Sequence, residues 1–142
     1  MKKGLLIIAL CFSGLVSHGQ AIVQNLISPP ASGLHLTDTV TNTGTVIMSS
    51  ALVSGAAQNI TVTATFTKLT GTVAGTATLL GSLNGIDWTS ASGTSYTVTD
   101  VASATTSWIL TGKPFQYYRV NVVGSGTSTY TVKGQVLSVT GR

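Results

Sequence analysis

NITVTATFTKL, residues 59–69, decides the fold class. Ile60, Val62, Ala64 and Phe66 fall on one side of an extended chain, and Thr61, Thr63, Thr65 and Thr67 on the other. Side chains in a strand alternate between faces, so this spacing predicts a half-buried strand with an apolar face inward and a threonine face outward. A helix with the same residues would scatter its apolar groups around the axis. Val and Thr branch at Cβ, and the pleated surface accepts their stiff χ1.

Working outward, the same period recurs. Tyr118, Val120 and Val122 share a face in 115–123, and Tyr130, Val132 and Val136 share one in 127–139, where Gly134 marks an expected bulge. Trp108 and Leu110 share a face in 106–110. Further strands are expected at 44–53, 76–83, 86–89 and 94–99. Asn84-Gly85 is the tight turn between the second and third of these segments, because both residues tolerate positive φ. Gly124-Ser125-Gly126 makes another turn. About eight strands with turns near every ten residues predict an all-β chain, an antiparallel β-sandwich or jelly roll.

Composition agrees. The 142 residues hold 24 Thr, 16 Ser and 16 Gly but only 7% charged residues, and no Glu. Helical bundles and coiled coils need more charge and longer side chains than this. A net charge of +4 without Lys/Arg clusters excludes a nucleic-acid protein. Cys11 is the single cysteine, so neither an intrachain disulfide nor a cysteine zinc site is possible.

The N-terminus reads MKKGLLIIALCFSGLVSHGQ. Lys2 and Lys3 precede an apolar run from Leu5 to Val16, and Ser17 and Gly19 hold the small-residue positions of a cut before Gln20. That is the layout of a secretory signal peptide over 1–19, and the run is shorter than a membrane span. Residues 20–36 carry Pro29-Pro30 and are expected to be a linker or N-terminal arm, with the β-sandwich domain at 37–142. The exported chain would be secreted or held at the cell surface, with no membrane insertion after cleavage.

Few groups remain for chemistry. After removal of 1–19 the chain keeps His35, Asp38, Asp87 and Asp100 as its only histidine and acids. His35 lies beside the prolines, a poor place for a preorganised base. The two later aspartates sit by turns, where Asp ordinarily bonds backbone. No metal-ligand spacing and no phosphate loop is present. These residues predict a non-enzymatic chain with no cofactor, no catalytic residue and no metal site.

Residues 79–123 carry a resemblance. Gly81, Ser82, Asn84, Gly85 and Trp88 match a G-S-x-N-G-x-x-W hairpin, and Tyr117, Tyr118, Arg119, Val120 and Val122 match a Y-Y-R-V-x-V strand. Together they resemble discoidin-like domains and phage tail or capsid-surface domains, small β-sandwich modules. The resemblance implies a structural or interaction module on a cell or virion surface. Low charge and threonine faces add self-assembly as a homo-oligomer. The alternative is a carbohydrate-binding adhesin, with Trp88, Tyr96, Tyr117 and Arg119 as candidate glycan-binding residues. An exposed indole can stack on a pyranose ring, whereas a buried one only fills the core. Arg119 can lie over Trp88 or Tyr117 as a cation–π partner.

Overall fold

The computed structural model describes residues 21–28, 36–53, 57–112 and 114–140. The expected signal peptide, Pro29-Pro30 and His35 lie outside them. The described residues contain no helix. They form β1 (Ala21–Asn25), β2 (Thr37–Thr41), β3 (Thr45–Ser49), β4 (Ala57–Gly71), β5 (Gly75–Ser82), β6 (Thr89–Val98), β7 (Ser103–Thr111), β8 (Tyr117–Gly124) and β9 (Ser128–Thr140).

The pairing follows one rule. β5 pairs β6, β4 pairs β7, β3 pairs β8 and β2 pairs β9, all antiparallel. That is a single long hairpin with its tip between β5 and β6. Rolling it up brings β9 against β4 and β8 against β5. The product is a four-stranded sheet in the order β3-β8-β5-β6 and a five-stranded sheet in the order β1-β9-β4-β7, in which β2 also pairs β9. Strands β1 and β2 lie end to end along β9, opposite residues 135–139 and 129–133. This is jelly-roll connectivity, which decides between the two expected architectures.

The alternation read from the sequence builds the core. Ile60, Val62, Ala64 and Phe66 of β4 point inward with Trp108, Tyr130 and Val132, and face Met48, Ala77, Leu79, Tyr118, Val120 and Val122 across the sandwich. Each fully buried Val, Leu or Ile contributes about 1.5–3 kcal/mol. Outside, the threonines of β4 line up with β7, and the Thr65 and Thr105 hydroxyls lie 3.0 Å apart.

Three local expectations are corrected. The stretch 86–89 is not a return strand. Residues 83–88 form a loop, because the Asn84 side chain bonds the backbone two and three residues ahead and draws the chain out of a two-residue hairpin. The segments expected at 86–89 and 94–99 instead merge into one strand, β6, starting at Thr89. It is broken by a wide bulge: Thr78 faces Ser95 and Leu80 faces Ser90, so Leu79 alone spans residues 91–94. Finally, Gly134 is no bulge. It lies in unbroken register opposite Ala64. Its missing side chain makes room for Leu26, whose Cδ1 would sit 2.5 Å from an added Cβ, and the Leu26 N–H donates to the Gly134 carbonyl at 2.8 Å. The stretch read as linker or arm thus contributes β1 along the sheet edge and then a fully buried leucine.

Candidate functional site

The loop 83–88 is wired by two side chains. The Ser82 hydroxyl accepts the Gly85 N–H at 2.9 Å and donates to Asn84 Oδ1 at 3.0 Å. Asn84 Oδ1 also accepts the Ile86 and Asp87 N–H groups, both at 2.9 Å. The Asn84 amide then donates to the Asp87 carboxylate at 2.8 Å. Polar turn residues at this spacing close the loop on itself and fix the direction in which the next residue, Trp88, leaves.

Trp88 is half-buried. The Arg119 guanidinium lies over its ring, 4.3 Å from the centroid, the cation–π contact that the strand alternation allows. Arg119 projects from β8, where it pairs with Leu80 of β5 and Ser49 of β3. Its Nε is buried with no hydrogen-bond partner, and burial pushes the guanidinium pKa down from its ordinary value. Tyr117 stands two pairs further along, on the same face, opposite Ser82, and its ring packs on Gly85.

Two hollows meet at Trp88. One, of about 300 Å³, is mostly apolar and lined by Gly81, Leu83, Trp88 and Phe115, with Ser82, Asn84, Asp87 and Thr89 around it. The other, of about 410 Å³, is lined by Ser28, Asp38, Thr45, Val46, Ile47, Ser49, Gly85, Trp88 and Arg119. The Ser28 hydroxyl donates to the Asp38 carboxylate beside it.

The structure therefore brings together Trp88, Tyr117 and Arg119. Tyr96 does not join them. It sits opposite Ala77 and stacks on Phe66, with ring centroids 5.7 Å apart and planes at 18°. A three-aromatic platform of Trp88, Tyr96 and Tyr117 is thus not formed, because even and odd positions of paired strands face opposite ways. Sequence reasoning missed Phe115 and Leu83, which complete the apolar hollow. Asn84 and Asp87 were legible as turn residues only. Among the described residues no three His, Cys, Asp or Glu side chains group as metal ligands.

Fold and site together define a small β-sandwich module with an aromatic loop at one end. No family model and no curated protein matches the sequence. Among solved structures, the chain is similar to the PBSX exported protein XepA, with a TM-score of 0.55 and 17% identity over 85% of this chain. It spans only 38% of the XepA chain. It also aligns with a protein of Bacillus endospore appendages, disulfide-linked pili (TM-score 0.45, 13% identity, 98% of this chain and 100% of that one). A third alignment is with a family 29 carbohydrate-binding module (TM-score 0.38, 12% identity, 84% and 92%). At these identities the likeness to XepA is one of fold.

Proposed function

We propose that the chain is an exported, non-enzymatic structural module that works on a cell or virion surface by packing against copies of itself. The observation that carries this reading is the disposal of charge. Asp100 is paired with Lys68, Asp87 is bonded by Asn84, Asp38 is bonded by Ser28, and Arg119 lies over Trp88. Among the described residues only Lys133 presents a charge with no partner. The rest of the described surface is uncharged, with hydroxyls and exposed aliphatic side chains such as Leu83, Ile86 and Ile109, so copies approach one another without electrostatic repulsion. XepA, which shares the fold, is an exported protein, and this supports the export reading.

Size-exclusion chromatography with light scattering, then negative-stain microscopy, tests it on the full chain expressed with its own N-terminal segment. Dimers, trimers, rings or filaments are expected, built from a chain whose intact mass begins at Gln20. A monomer at every concentration would remove the assembly reading. Met1 retained in a membrane fraction would remove the cleavage.

The apolar hollow beside Trp88 favours a second reading, a carbohydrate-binding adhesin. Trp88 and Phe115 form its apolar wall and Asn84 and Asp87 its polar rim, a lining suited to a sugar ring. A glycan array of the wild type and of Trp88→Ala discriminates. Binding that disappears in a folded Trp88→Ala protein supports the reading, and a blank wild-type array ends it.

A further inference from the structure

Strand β7 is an edge of the five-stranded sheet, with no strand paired beyond it among the described residues. The Lys68 N–H donates to the Ala102 carbonyl at 3.1 Å, and residues 59–67 of β4 continue that register opposite residues 103–111 without a shift. Antiparallel ladders alternate hydrogen-bonded and non-hydrogen-bonded pairs. The even-numbered residues of β7 therefore exchange bonds with β4. The odd-numbered ones, Ser103, Thr105, Ser107, Ile109 and Thr111, turn their N–H and C=O groups to the side where no described strand pairs.

The strand itself carries none of the usual edge protection. β7 holds no charge, no proline, no glycine and no bulge. Ile109 is 76% exposed. A groove of about 370 Å³ runs beside the strand, bounded by Ala91, Ser92 and Thr94 of the β6 bulge and by Pro114, and leaves room along it. The other edges differ. β6 is broken at residues 91–94, β3 has five residues, and β1 and β2 divide their edge between them.

We propose that β7 of one copy pairs antiparallel with β7 of a second copy, about a two-fold axis at Ser107. The edge is complementary to itself. Full overlap sets Ser107 opposite Ser107, Thr105 opposite Ile109 and Ser103 opposite Thr111, all of them hydrogen-bonded pairs. Every free N–H and C=O of the strand is satisfied, no like charges meet, and two five-stranded sheets become one continuous sheet. The proposal rests on the assembly reading and specifies the surface it uses.

Introduced cysteines test it, because the chain's own Cys11 lies in the segment expected to be removed. Opposed hydrogen-bonded residues have Cα atoms about 5.5 Å apart, inside the disulfide range of roughly 4.4–6.8 Å. Under mild oxidation Ser107→Cys is expected to form a disulfide dimer that the wild type does not. Ser103→Cys and Thr111→Cys chains are expected to cross-link to each other when mixed, at least tenfold faster than either does to itself. Ile109→Lys is expected to abolish the dimer in light scattering with its melting temperature unchanged. Oligomers that survive Ile109→Lys and give no Ser107→Cys cross-link would overturn the β7 pairing and leave assembly standing through another surface. A wild type that is monomeric throughout would overturn both. A Thr111→Cys chain that cross-links to itself as fast as Ser107→Cys does would overturn the register.

Discussion

Strands β6 and β7 are neighbours in sequence, edges of their respective sheets, and built from similar residues: TSASGTSYTV and SATTSWILT. Their edges are opposite in character. β7 keeps one register against β4 over its whole length, whereas β6 leaves β5 for four residues and returns. The outward hydroxyls do not explain this, since both strands have them. The inward residues do. Trp108 and Leu110 hold the C-terminal part of β7 on the core, while Ala91 offers little to bury and Gly93 takes a left-handed φ of 67°. In a chain with few charges, an edge is closed or left open by its backbone and its anchors.

The largest effect should come from removing the anchor of β7. Trp108→Ala empties a buried site and is expected to cost about 3–5 kcal/mol in urea unfolding. Tyr96→Ala in β6, a half-buried ring stacked on Phe66, should cost clearly less. Equal losses would erase the contrast between the two strands. Next comes the bulge. Nothing lies within 4 Å of a Cβ added at Gly93, so Gly93→Ala meets only the left-handed backbone, a cost of about 1–2 kcal/mol. A neutral or stabilised variant would mean that the bulge relaxes easily and is no protection.

The smallest effect lies in the corner between the strands. The hydrogen bond from Lys68, with a second from the Val73 N–H, holds the Asp100 carboxyl below the usual carboxylate range. A lowered folded-state pKa adds stability that is present above the unfolded value and is lost as the pH falls through the folded one. Melting temperature should therefore decline on acidification below the ordinary carboxylate range. Asp100→Asn should flatten part of that decline while leaving the neutral-pH melting point slightly lower. An unchanged acid limb in Asp100→Asn would show that the pair is merely a surface contact.

Much of the architecture was legible because period two is a direct consequence of strand geometry. Residues 59–69, Tyr118 with Val120 and Val122, and Trp108 with Leu110 all declared their buried faces. What escaped depends on partners far along the chain. Gly134 is explained by Leu26, more than a hundred residues away, and no local rule connects them. Asn84-Gly85 announced a turn, but the side-chain bonds that lengthen it to a six-residue loop also involve Ser82 and Asp87. Of the aromatic site, alternation on β8 put Arg119 on the outer face and left Trp88 and Tyr117 open as its partner; the loop 83–88 brings Trp88 under it. Tyr96 was placed with it only by residue type, and β6 turns it inward. Phe115 follows Pro114 before β8 begins, so periodicity gave no sign of where its ring would go.

The rolled hairpin has a consequence in time. β9, the last strand, lies inside the five-stranded sheet, between β4 and the pair formed by β1 and β2. Three of its neighbours are made long before it. A chain emerging from its N-terminus therefore holds three strands waiting for their common partner, and this sheet cannot close until residues 128–140 arrive. Such non-local pairing folds slowly, on the scale of milliseconds to seconds. The polypeptide stays threadable until β9 has been made, and this sheet locks only then.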